Sequence, residues 1–181
     1  ANAKKKVVVV GAGVAGLEAA RVASERGHAV VVFESDDRAG GQVNLAAKAD
    51  WREPLSGIVR WLDSQVRKRG VDLRFKTEAT AEMVMAERPD EVIVATGGAP
   101  NKGSFEGHTL AVSTWDILGG RVRPAETVLL FDDQGGHAGP SVASFMAGED
   151  TAAGARRTGG LLGSVRNLAA TLVAIAQTRL Q

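Results

Sequence analysis

The chain has 181 residues, with 22 Lys and Arg, 21 Asp and Glu and a formal net charge of +1. That length suits one domain and part of another, and the lack of cysteine excludes a disulfide framework, thiolate-held zinc, an iron–sulfur centre and a Cys-x-x-Cys redox pair within it. Residues 1–150 hold all 21 acids against 18 Lys and Arg, whereas residues 151–181 hold Arg156, Arg157, Arg166 and Arg179 and no acid, so the last part of the chain is chemically distinct.

The opening, ANAKKKVVVVGAG, reads as the approach to a buried strand rather than as a signal peptide. No run reaches the roughly 18 apolar residues of a membrane span, and a cytoplasmic setting is expected. Lys6–Val10 predicts a strand, Ala15–Arg26 a helix closed by Gly27, and Ala29–Phe33 a second strand. A short β-turn-α-turn-β unit of this kind crosses over right-handed and implies a parallel sheet covered by helices. Asp36–Asp50 reads as a loop. Glu53–Arg69 carries Leu55, Ile58, Val59, Leu62 and Val66 at helical spacing, with Pro54 suited to a first turn. Val71–Phe75 predicts a third strand and Thr77–Thr80 a short one, followed by a helical turn to Glu87. Pro89-Asp90 starts the strand EVIVAT. Residues 100–112 read as a surface loop, Ser113–Leu118 as a short Ser-capped helix, Thr127–Phe131 as a strand and Pro140–Ala147 as the next helix.

Gly11, Gly13 and Gly16, in VVVVGAGVAGLEAA, form G-x-G-x-x-G. Gly11 permits the turn out of the strand. Gly13 lets backbone approach a pyrophosphate, and Gly16 lets helix and strand pack closely. The helix N-terminus then offers free N–H groups and partial positive charge to phosphates. Glu34 ends the second strand, where a carboxylate accepts hydrogen bonds from ribose hydroxyls and repels a 2′-phosphate. The joint pattern points to an adenine-nucleotide site. The alternative is a unit of the same fold that binds nothing.

The succession of this motif, the acid, RAGGQV at Arg38–Val43 and VIVATGGAP at Val92–Pro100 resembles the two-dinucleotide-binding flavoprotein superfamily. With VLLFDDQGGHAGPSVASFMA added, the chain over residues 4–148 resembles the C-terminal nucleotide-binding region of the trimethylamine dehydrogenase, histamine dehydrogenase and 2,4-dienoyl-CoA reductase group. The resemblance implies an α/β fold with a Rossmann-like doubly wound parallel sheet, to which this chain adds a C-terminal amphipathic helix. It implies that Gly11, Ala12, Gly13, Ala15 and Gly16 line the pyrophosphate. Glu34, with Ser35 beside it, would hold the ribose. Gly41 and Gln42 would touch the cofactor beyond the first phosphate, Ala79 would neighbour the adenine, and Ala95, Thr96 and Gly97 would pass close by. Arg38 is a phosphate contact or an ordinary surface charge, and Gln42 is a contact or a turn cap. The group's FMN barrel, its four-cysteine cluster and the segment that returns to complete the flavin site have no counterpart in the sequence. In trimethylamine dehydrogenase-like proteins the equivalent site holds ADP, so FAD or ADP is the expected cofactor.

Asp132, Asp133, Gly135, Gly136, His137 and Gly139 begin a second such turn without a following strand and ribose acid. NAD(P) is therefore the less expected nucleotide, His137 reads as a solvent-facing turn residue and no metal site is expected. The expected division is residues 1–126 for the FAD- or ADP-binding domain, 127–150 for an incomplete second βα unit, 151–160 for a linker and 161–181 for a basic amphipathic helix. That helix has three readings: it packs on this chain, docks on another chain, or lies on an anionic membrane surface. The expected partners are another oxidoreductase subunit or a second copy, with no nucleic acid. No residue stands out as a catalytic acid or base. The chain thus reads as a module of a flavin-dependent oxidoreductase, inactive alone, or as a non-catalytic nucleotide-binding or assembly subunit, or as an interaction protein working through its basic helix.

Overall fold

The computed structural model describes residues 3–100, 108–125, 128–131 and 138–152. Two compact units emerge, one of Ala1–Ala47 with Glu53–Gly98 and one of Lys48–Arg52 with Ala99–Gln181.

The first unit is built on β1 (Lys6–Val10), α1 (Val14–Glu25), β2 (Ala29–Phe33), α2 (Gln42–Ala46), α3 (Ser56–Lys68), β3 (Asp72–Arg74), α4 (Ala81–Ala86) and β4 (Glu91–Val94). The strands form a parallel sheet in the order β3-β2-β1-β4. Valine runs make the two central strands, because β-branched side chains fit a pleated surface that is covered on both faces. Their alternation sorts the core. Val7, Val9, Val30 and Val32 pack with Leu17 and Ala20 of α1 and with Leu62 and Val66 of α3. Val8, Val31 and Phe33 point the other way and pack with Val84 of α4. Each fully buried Leu or Phe here contributes about 1.5–3 kcal/mol by leaving water.

After β3 the chain crosses back to the far side of β1, so the strand order reverses between β1 and β4. In open parallel sheets ligands bind at the carboxyl ends of the strands at such a reversal. The Gly11–Gly13 turn leaves β1 at that point.

Several sequence expectations need correction. Asp36–Asp50 is not one loop: α2 lies within it, and a 3₁₀ turn, Asp50–Leu55, takes up Pro54 before α3 begins at Ser56. Thr77–Thr80 forms no strand; Thr80 instead caps α4, its hydroxyl accepting from the Met83 N–H. The apolar segment 128–131 is not a strand either.

In the second unit the described elements are a 3₁₀ turn at His108–Leu110, α5 (Thr114–Leu118) and α6 (Ala138–Ala152). The Ser113 hydroxyl caps α5 by accepting from the Trp115 N–H. α6 extends past both ends of the expected Pro140–Ala147 helix and packs against α5. The expected helix at 161–181 lies outside the described residues. Among the described residues no helix is long and apolar enough to cross a membrane.

Candidate functional site

The site is assembled from three backbone turns around the start of α1. The first is Gly11–Gly13. Gly11 has φ +102°, and a Cβ there would sit 2.5 Å from the Ala95 carbonyl oxygen, so only glycine fits between β1 and the end of β4. A Cβ on Gly16 would collide with the Gly11 carbonyl oxygen, which makes this glycine the condition for close packing of helix on turn. Gly13 differs: a Cβ there would meet nothing within 4 Å. Its backbone faces open space, the arrangement needed for a bulky group to approach.

Gly13 is also the N-cap of α1 and brings no side-chain capping bond. The first helical bond runs from the Leu17 N–H to the Gly13 carbonyl. The N–H groups ahead of it therefore have no intrahelical acceptor and present the positive end of the helix dipole. Ala15, in this first turn, is exposed, while Ala12 is fully buried beneath the loop.

Glu34, immediately after β2, is 8% exposed. Its Oε2 accepts from the Ala12 N–H at 2.6 Å, and its Oε1 accepts from the Asp36 N–H at 2.9 Å and from the Ser35 hydroxyl at 3.3 Å. A carboxylate has about four lone-pair sites, so one acceptor position on Oε2 remains after these three bonds. The residue expected to bind ribose thus also fixes the glycine turn.

The second turn contains Gly40 and Gly41. Gly40 bridges Gly13 in parallel fashion, and its N–H donates to the Ala12 carbonyl at 2.8 Å. A Cβ on Gly41 would lie 3.3 Å from Gly13 Cα. Gly41 thus stacks tightly on the first glycine turn, whereas a Cβ on Gly40 would meet the Asn44 side chain and Val59, roles invisible in a linear motif. The third turn is Ala95–Gly98. The Ala95 N–H donates to the Val10 carbonyl, Thr96 and Gly97 are exposed, and the Gln42 side-chain amide donates to the Gly98 carbonyl at 3.0 Å.

Arg38 lines a groove of about 330 Å³ together with Val59, Asp63, Arg67 and Phe75, on the α3 and β3 side of its loop. Ala79 packs against the cluster of Val8, Val31, Phe33 and Val84. Of the second glycine turn, Gly139 falls in α6 and residues 132–137 lie outside the described residues. Sequence reading missed Gly40, Asn44, whose amide donates to the Ala39 carbonyl, and Gly98. The doubled glycine before Gln42 was the available signal for the first two.

A parallel sheet, a glycine turn at its point of reversal and an acid closing the second strand define a Rossmann-like nucleotide-binding domain. Residues 9–63 match the family of NAD(P)-binding Rossmann-like domains. The chain is 51% identical over 148 residues to a protein of Rhizobium meliloti (strain 1021) named "Probable N-methylproline demethylase", covering 81% of this chain and 22% of that protein. Two solved structures are similar in fold. One, of a 2-naphthoyl-CoA reductase with 2-naphthoyl-CoA, has a TM-score of 0.79 and 37% identity over 83% of this chain and 23% of that one. The other, histamine dehydrogenase from Rhizobium sp. 4-9, has a TM-score of 0.70 and 28% identity over 82% of this chain and 24% of that one. The chain belongs to the two-dinucleotide-binding flavoprotein superfamily and is similar to the nucleotide-binding region of its histamine dehydrogenase-like members. It spans less than a quarter of the length of each of these proteins.

Proposed function

We propose that this chain is the adenine-nucleotide-binding module, for FAD or ADP, of a flavin-dependent oxidoreductase. The observation that carries the reading is the Glu34 carboxylate, hydrogen-bonded to the Ala12 N–H with one acceptor position left, beside an uncapped α1 N-terminus and the open backbone of Gly13. Such a set fits a ribose next to a pyrophosphate. Glu34 would accept from a ribose hydroxyl. The turn at Gly11–Gly13 and the first-turn N–H groups of α1 would hold the phosphates. Gly41 and Ala95–Gly97 would bound the path beyond them.

A carboxylate at this place repels a 2′-phosphate, which favours FAD or ADP over NADP. When FAD is bound, the isoalloxazine supplies electron or hydride transfer, and the protein contributes position and electrostatics. The relatives support a shared role at the nucleotide end. Their names speak of demethylation, of a reductase with an aryl-CoA and of a histamine dehydrogenase, yet they share this region. Substrate choice would then reside elsewhere in a whole enzyme, with this chain serving the cofactor common to all.

The test is an absorbance spectrum of the purified protein, followed by chromatographic identification of released nucleotide. Flavin absorbance with released FAD supports a redox module, and colourless protein releasing ADP supports a structural nucleotide. Protein that carries no nucleotide and takes up neither FAD nor ADP on incubation contradicts the proposal.

A further inference from the structure

We infer that Gln42 is a positioning residue that ties together the two turns flanking the nucleotide site and so sets how fast a bound adenine nucleotide leaves. The inference rests on the nucleotide-binding reading above and adds a residue that controls release rather than recognition.

The three turns are joined in three places. The first and second meet through backbone, with the Gly40 N–H donating to the Ala12 carbonyl at 2.8 Å. The third also meets the end of β1, just before the first turn, through backbone, with the Ala95 N–H donating to the Val10 carbonyl at 2.8 Å. The second and third meet through a side chain, the Gln42 amide on the Gly98 carbonyl at 3.0 Å, across a sequence separation of 56 residues.

The Ala95–Val10 joint continues the β1–β4 pairing, and the Gly40–Ala12 joint belongs to the isolated Gly13–Gly40 bridge over the buried Ala12. A side-chain joint at an exposed position can break and reform alone, because both groups find water as an alternative partner. Gln42 is exposed and sits at the first position of α2, directly after the Gly41 that stacks on Gly13. Its amide nitrogen also lies against the third turn: a Cβ on Gly97 would come within 2.9 Å of it. Gly97 has φ +73°, a conformation available to glycine at little cost. Beyond the Ala95 bond to Val10, the third turn is therefore tied to the second through Gln42. Breaking the tie separates the flanks of the open space before Gly13, which is the exit for a nucleotide seated there.

The experiment compares the wild type with Gln42→Ala and Gln42→Glu. Seated 1,N6-etheno-ADP is displaced with excess ADP in a stopped-flow instrument, and hydrogen exchange is followed across residues 95–98 of the nucleotide-free proteins. One neutral hydrogen bond predicts a rise in dissociation rate of roughly three- to ten-fold for Gln42→Ala, with association rate and melting temperature unchanged. An ionised Glu side chain lacks the donor, so Gln42→Glu is expected to release at least as fast. Exchange across residues 95–98 is expected to quicken in both variants. Equal dissociation rates in wild type and Gln42→Ala overturn the proposal. A lowered melting temperature with unchanged release also overturns it, since that marks a purely structural role. A wild type that binds no etheno-ADP contradicts the nucleotide reading instead, and the exchange comparison then judges the tie: equal exchange in the two proteins overturns it.

Discussion

The two units contrast in how local pattern and partner combine. In the first, each valine run has a strand to pair with: β1 is flanked by β2 and β4, and β2 by β3. In the second, VLLF at 128–131 has the apolar character of a buried strand, yet it forms none. Its Val128 is buried and its Phe131 is 59% exposed. The elements of the second unit among the described residues are helical, as in α5 with its Ser113 cap. A helix satisfies its backbone within one segment, whereas a strand needs a neighbour. The same apolar pattern therefore specifies a strand in one unit and not in the other.

The comparison can be broken by substitutions confined to one unit. The largest effect is expected from Leu62→Ala, which empties a position 2% exposed between α3 and the sheet. Urea unfolding of the first unit should show a loss of about 2–5 kcal/mol. Gly16→Ala comes next. Its methyl has no room beside the Gly11 carbonyl, so the turn must shift, at about 1–3 kcal/mol and with loss of nucleotide affinity measured by calorimetry. Ser113→Ala removes a helix cap in the second unit and should cost about 1 kcal/mol there, leaving nucleotide affinity unchanged. A change in affinity would show that the units do not act separately.

The smallest effect is a pH dependence. Glu87 accepts from Lys6 Nζ at 2.7 Å and from Arg74 Nη1 at 2.6 Å, joining β1 to β3 beneath the sheet. The Lys6 hydrogen bond first, and Arg74 second, hold its carboxyl below the ordinary value of 4.5. A carboxylate lowered on folding stabilises the native state at pH above its unfolded value, and that contribution fades as pH falls through the lower folded value. Glu87→Gln should therefore flatten the fall in melting temperature below about pH 4.5 while changing little at pH 2.

The central strands were legible because their residues are apolar on both faces, and α1 because glycines bound it at both ends. The Gly-x-Gly-x-x-Gly turn and Glu34 were legible because one local crossover brings them together. α2 was not, since QVNLA has no amphipathic repeat and follows two glycines that suggest a loop. The strand expected at Thr77–Thr80 does not form because its residues bond locally: the Thr77 hydroxyl donates to the Phe75 carbonyl and Thr80 caps α4. The Gln42–Gly98 bond was beyond sequence reasoning, as it depends on how α2 is set against the end of β4.

The central claim is that Glu34 and the glycine turn bind an adenine nucleotide. Calorimetric titration of ADP into the wild type and into Glu34→Ala tests it most directly, with melting curves confirming that both are folded. Loss of a hydrogen bond to a charged acceptor predicts saturable binding in the wild type and affinity roughly 10- to 100-fold weaker in the variant. Equal affinity in the two folded proteins would contradict the account.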